Sequence, residues 1–251
     1  MNASVVLSAA ASKRLIARGV AAHPSVERAM RTGRIVIGRG TTNAFVAEEL
    51  LGAPIDRGAY AAGFIDARWN INQRVGDTAE IILERGHLFT GAPDRALAAL
   101  GAGDVVIKGG NALDSWGVVG VLLASDSGGT VGRYIPSAVA RGVDIVIPIS
   151  LSKSIHSSVV DLSQEMGAGR TALHVGLACG FFPLHGQVVT EIEAMRLLAD
   201  VNAIHVASNG VGVGHGSVSL FLSGDDDDVK RAFAIAEELA DEVDVELTGG
   251  A

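Results

Sequence analysis

A chain of 251 residues with 48% hydrophobic and 19% charged residues can bury one large core or two modest ones, which excludes global disorder. A net charge of −8 argues against a general nucleic-acid binder or a protein drawn to acidic membranes, while leaving room for a local basic pocket. The 32 glycines and only 4% aromatics describe a Val/Ile/Leu/Ala core with many tight turns, the usual composition of an α/β protein.

Residues 1–11 form a short apolar run with no basic residue before it and Lys13 and Arg14 after it, so they read as the start of a helix, not a signal peptide. Ser12 and Ser25 are candidate caps of two successive helices. Residues 34–37 read as a buried strand and 43–51 as a helix stopped by Gly52. The pattern weakens over 52–72, and a strand is expected over 78–83. A short helix over 92–100 follows, then strands over 105–107, 118–124 and 143–149, with a helix ending near Arg141 between the last two. Continuous apolar strands alternating with helices predict a mainly parallel sheet covered on both faces.

The C-terminal part changes character. Residues 173–182 are strand-like, and Thr190 with Glu193 three residues on has the form of a capping box. Strands are expected over 203–207 and 217–222, joined by the glycine-rich loop 210–216. Val229, Ala232, Phe233, Ala236 and Leu239 form a helical stripe, and 243–247 reads as a last strand. The order β-α-β-β-α-β is that of a ferredoxin-like unit. The expected organisation is therefore a Rossmann-like domain over residues 1–167 and a smaller ferredoxin-like α+β domain over 168–251. The single cysteine, Cys179, is read as a small core residue and allows no internal disulfide. No uncharged apolar run reaches the ~18 residues of a membrane span. The expectation is a soluble cytoplasmic homo-oligomer with no membrane or nucleic-acid partner.

The chemistry points to loops that follow apolar strands. Gly38, Arg39, Gly40, Thr41 and Thr42 run from a strand straight into a helix, where free backbone N–H groups and a positive dipole end favour an anion. The alternative is a tight strand-to-helix turn; a P-loop is excluded, because G-x-x-x-x-G-K-[ST] is absent. Lys108, Gly109, Gly110 and Asn111 follow the second strand, and Ser127, Gly128, Gly129 and Thr130 follow the third. Ligands of open parallel sheets bind outside the carboxyl ends of the strands, where all three loops are expected to meet. Lys153 and His156 follow the next strand and are further candidates, the histidine as an acid or base. The remaining histidines lack metal-ligand spacing, so no metal and no cofactor is expected. Trp69, Trp116 and Tyr134 read as packing residues, and the 210–216 loop as a hairpin or a lid with His215 at its tip.

IGRGTT at residues 37–42 resembles the G-x-G-S-T phosphate loop of ribose-5-phosphate isomerase A, and DVVIKGGNAL at 104–113 resembles that family's KGGGGAL segment. VIPISLSKSI at 146–155 echoes a strand ending in a Ser-Lys pair. The chain is thus similar to the superfamily of glucosamine-6-phosphate deaminase, ribose-5-phosphate isomerase A and CoA transferase, over residues 30–160 in motif order. The resemblance implies binding of a small phosphorylated metabolite, with Lys108 polarising a carbonyl or stabilising an enediolate. The family's Asp-Gly-Ala-Asp-Glu segment has no counterpart before the lysine, since Gly63-Phe64-Ile65-Asp66 lies too far upstream. The first acid after KGG is Asp114, taken as the general base. Aldose–ketose isomerisation, a non-catalytic sensor of the same fold and a CoA-transferase-like enzyme are the three functions this leaves open.

Overall fold

The computed structural model describes residues 1–65 and 79–247. It is an α/β structure, with three sheets among the described residues. Strands β2 (Arg34–Ile37), β5 (Val105–Ile107), β8 (Asp144–Pro148) and β10 (Gln187–Val189) are mutually adjacent and parallel, in the order β10-β8-β5-β2. An antiparallel hairpin, β3 (Ile81–Glu84) and β4 (His87–Leu88), extends the sheet beyond β2. Its two-residue turn places Arg85 and Gly86 at positive φ, as a tight hairpin turn requires.

Period-2 geometry explains why β2, β5 and β8 are apolar throughout. Val36, Val106 and Ile147 point into one core, and Ile35, Ile37, Val105, Ile107 and Val146 into the other. Helix α1 (Ala9–Ala21) lies between the two, with Leu15 in the first core and Ile16 in the second. On the second face it packs against α3 (Thr41–Leu51).

A second sheet, in the order β1-β12-β11, joins β1 (Asn2–Leu7), β12 (Val218–Ser223) and β11 (Asn202–Ser208), all antiparallel. Helices α8 (Glu191–Ala199) and α9 (Asp226–Glu238) cover one of its faces. The third sheet, in the order β6-β7-β9, comprises β6 (Ala112–Leu113), β7 (Val119–Leu123) and β9 (Gly180–Leu184), again antiparallel. The other helices are α2 (Pro24–Thr32), α4 (Arg57–Tyr60), α5 (Pro93–Ala98), α6 (Gly129–Ala140) and α7 (Val159–Glu165). No helix among the described residues is long and apolar enough to cross a membrane.

Several expected elements are corrected. The N-terminus is a strand: Val5 and Leu7 are buried, Val6 between them is 70% exposed, and the hydroxyl of Ser8, not Ser12, caps α1 by accepting from Ala11 N at 3.1 Å. His23, not Ser25, caps α2. The strand expected over 173–182 is confined to Gly180–Leu184, and Leu173 and Val175 are exposed. Residues 243–247 form no strand; Arg57 holds Val243 O at 2.6 Å and Lys13 holds Asp244 at 2.6 Å.

Strand β7 belongs to an antiparallel sheet, so the 125–130 loop does not leave the parallel sheet as expected. The pairings β1–β12, β7–β9 and β8–β10 all cross the division placed at residue 167. Trp116 is 71% exposed, whereas Tyr134 and Cys179 are buried. Trp69, Thr78 and Asp66 lie outside the described residues.

Candidate functional site

The carboxyl ends of β2, β5 and β8 open into a cavity of about 1030 Å³. From β2 the chain leaves through Gly38, whose N–H donates to Ile107 O at 2.9 Å. A Cβ there would stand 3.1 Å from the Tyr134 hydroxyl and 3.2 Å from Ile107 O, so glycine permits the close turn. Helix α3 then starts with Gly40 at its cap and no side-chain capping bond. The amides of its first turn, at residues 41–43, are left for solvent or a ligand.

Helix α6 begins the same way, at Gly128 in the left-handed region (φ 75°) and without a side-chain cap. Most other helices of the described residues carry such a cap, from Ser8, His23, Asp56, Ser158 or Thr190. Residues 40–43 and 127–132 both line the cavity. At Gly132 a Cβ would fall 1.8 Å from Ser127 O, so this α6 entry tolerates no side chain there.

Four cationic side chains bring positive charge to the lining: Lys13, Arg39, Lys108 and Lys153, with Arg133 at the rim. Arg39 donates to Ala59 O at 2.9 Å, which ties α4 to the strand exit. Lys108 Nζ donates to Gly109 O at 2.9 Å, and Lys153 Nζ, from the one-turn helix Leu151–Lys153 after β8, donates to Gly110 O at 2.8 Å. Burial lowers Lys108 from the ordinary lysine value of 10.5 to about 8, helped by the charge of Lys153. Burial likewise lowers Lys153 to about 8, helped by Lys13 and opposed by Glu191.

Glu191 is fully buried at the first position of α8, accepting from Ser150 Oγ at 2.6 Å and Leu151 N at 2.9 Å. Burial raises its carboxyl above the usual range. It anchors the turn that carries Lys153. Asn111 is a second positioning residue: its Nδ2 donates to Gly63 O at 2.7 Å and its Oδ1 accepts from Leu122 N at 3.0 Å, tying the KGG loop to β7. Asn43, 1% exposed, donates from Nδ2 to Gly38 O at 2.7 Å, while its Oδ1 has no partner. Asn43 lines the cavity, and that oxygen is a buried acceptor without a partner beside Gly109.

The structure thus brings Arg39, Gly40, Thr41, Thr42, Lys108, Gly109, Gly110, Asn111, Ser127, Gly128, Gly129, Thr130 and Lys153 to one cavity, with Gly38 just behind it. Two sequence candidates are not there. Asp114 is buried elsewhere, its Oδ1 accepting from Trp116 N at 3.0 Å and Val118 N at 2.9 Å and its Oδ2 from Val159 N at 3.0 Å. All three are turn and helix-start amides, so the carboxylate staples the 114–118 turn to α7. His156 is exposed and does not line the cavity, nor does His215.

Sequence reading missed Glu80, Lys13 and Asn43. Among the described residues, Glu80 and Asp244 are the only acids of the lining. The Glu80 side chain is 7% exposed and accepts from Arg133 at 3.1 Å. It precedes β3 without any motif around it, and β3 brings it in by pairing with β2, which sequence spacing does not reveal. Among the described residues no three His, Cys, Asp or Glu side chains cluster as metal ligands. No family model, no curated protein and no solved structure matches this chain.

Proposed function

We propose that this cavity binds a small phosphorylated metabolite and isomerises it by proton transfer next to a carbonyl. The observation that carries the reading is the meeting of two uncapped helix starts with Lys108 and Lys153 in one cavity. A dianion is favoured where backbone amides, dipole ends and partly buried ammonium groups converge. In this reading the parallel strands are a Rossmann-like ligand-binding core of the ribose-5-phosphate isomerase type, and α8, β11, β12 and α9 form a ferredoxin-like appendage. The phosphate sits on residues 40–42. Lys108, in its charged form, stabilises the oxyanion that develops as the neighbouring carbon loses its proton. The base role passes from Asp114, committed to three amides, to Glu80, the buried carboxylate in the cavity.

The test is proton-exchange NMR of phosphosugars in D₂O. Turnover puts deuterium on a carbon beside a carbonyl, and Glu80→Gln abolishes it while leaving phosphate stabilisation in place. Phosphosugars that bind without exchange or conversion would sink the isomerase reading. One observation favours the second reading, a metabolite sensor: both acids of the lining are already paired to cations, Glu80 to Arg133 and Asp244 to Lys13. A sensor binds the same phosphosugars and exchanges nothing.

A further inference from the structure

We propose that Lys153 is a nucleophile that captures the carbonyl carbon of the bound metabolite as an imine, with the Lys108 ammonium beside it. This rests on reading the cavity as the site of an anionic carbonyl compound. The two amines come from the ends of adjacent parallel strands and donate to consecutive carbonyls of one dipeptide, Gly109 O at 2.9 Å and Gly110 O at 2.8 Å. Neither has a carboxylate within ion-pair distance among the described residues. Lys13, the third lysine of the lining, is by contrast neutralised by Asp244 at 2.6 Å.

Two ammonium groups so placed, without counterions and partly buried in the cavity lining, repel, and the pair releases its first proton readily. One amine is then an uncharged nucleophile and the other a fixed cation, the division that activates lysines toward carbonyls. The geometry distinguishes their parts. Lys108 bonds to the carbonyl of its own neighbour and stays folded inside the turn. Lys153 reaches across from another loop, and its turn is fixed from behind by Glu191. Gly109 and Gly110 put no side chains beside the amines, and the unpartnered Asn43 Oδ1 is 3.7 Å from where a Cβ on Gly109 would stand.

The step is balanced without an oxidant. The Nζ lone pair forms the bond to the carbonyl carbon, and the C=O π pair moves to oxygen, which takes a proton. The nitrogen loses a proton, the hydroxyl departs as water, and C=N remains: amine plus carbonyl gives imine plus water. An imine acidifies the adjacent C–H, so proton transfer at the same carbon is served by the same adduct.

The experiment incubates the protein with dihydroxyacetone phosphate and sodium cyanoborohydride, whose hydride reduces the imine to a stable secondary amine. The adduct is then located by peptide mass mapping. One adduct on Lys153 is expected, suppressed by excess inorganic phosphate and increasing as pH rises through about 8. Lys153→Arg loses the adduct, and a cooperative thermal unfolding transition in the absence of phosphate shows that the variant is folded. Lys108→Met lowers the adduct yield in step with its loss of phosphate stabilisation, and the pH profile of the adduct that remains on Lys153 moves upward because the neighbouring cation is gone. An absent adduct with phosphate stabilisation intact overturns the imine and leaves the binding site standing. Absence of both overturns the imine and the reading of the cavity together. An adduct on Lys108, or spread over surface lysines, overturns the role given to Lys153. An adduct without deuterium exchange in D₂O supports capture and removes only the isomerase.

Discussion

Replacing Asp114 with Asn separates a structural carboxylate from a catalytic one. In the folded chain Oδ1 takes two amides, from Trp116 and Val118, and Oδ2 takes the amide of Val159 at the start of α7. An asparagine keeps one carbonyl oxygen for the first pair and turns its NH₂ toward the Val159 N–H, donor against donor. A buried hydrogen bond to a charged group contributes about 1.5–3 kcal/mol, and one is lost outright. For a domain of this size ~1 kcal/mol corresponds to ~2–4 °C, so the melting temperature should fall by roughly 3–12 °C. Asp114→Ala removes both acceptor oxygens and all three bonds, and should cost on the order of 4 kcal/mol or more, much of the ~5–15 kcal/mol that holds a domain together. The assay is thermal denaturation with and without phosphate. The phosphate-induced increment should be the same in wild type and Asp114→Asn, because Asp114 does not line the cavity. An Asp114→Asn protein that melts like wild type but no longer responds to phosphate would refute this assignment.

Phosphate protection should weaken with alkalinity, since Lys108 and Lys153 lose their charge near pH 8. The intrinsic stability they contribute moves the other way: between about 8 and 10.5 the unfolded lysines hold more protons than the folded ones, so unfolding becomes harder as pH rises. Melting curves across that window, with and without phosphate, should converge; curves that stay parallel remove both lysines from the anion site. Gly110→Ala should destabilise by ~1–3 kcal/mol, because its Cβ would come within 2.1 Å of Val119 Cγ1. Adding Val119→Ala should recover part of that loss in denaturant titration, and no recovery would place the strain elsewhere. Arg14→Met leaves Glu48, Glu49 and Glu242 facing one another around Phe45, and should cost ~3–5 kcal/mol as judged by the urea midpoint. A midpoint unchanged from wild type would show that Arg57, which already pairs with Glu48 and Glu242, suffices without Arg14.

The parallel strands were legible because burial on both faces leaves a continuous apolar run, as in Val105-Val106-Ile107, and the glycines after β2 and β5 marked where the chain turns toward the cavity. β1 was not, since Ser4-Val5-Val6-Leu7 next to a capped helix has no partner in its own neighbourhood; the partner is β12, near the other end of the chain. The alternating 243–247 segment misled for the converse reason: Arg14 and Arg57 hold Glu242 just before it, Arg57 also holds the Val243 carbonyl and Lys13 holds Asp244, so it runs as a tethered strap with no ladder. Of the site, the loops that follow strands were found by position. Glu80 was not, because an acid placed by cross-strand pairing carries no local signature. Asp114 followed the KGG motif at a suggestive distance, yet the β6–β7 turn swings its carboxylate away from the cavity.

The pairing of β1 with β12 has a consequence for how the chain acquires its structure. The N-terminal ammonium bonds Gly224 O across 223 positions, and Val5 and Leu7 have no sheet neighbour until residues 218–223 exist. During synthesis the first strand therefore emerges long before its template, an apolar edge without a match while the parallel sheet is being laid down. Closing so long a loop is an entropic toll taken late, which sets a high contact order and a slow final step. The parallel core, and with it the cavity floor, can organise first, and the β1-β12-β11 sheet closes on it last. A ribosome-stalled chain ending before residue 218 would hold β2, β5, β8 and β10 but leave Asn2–Leu7 open to proteases and chaperones.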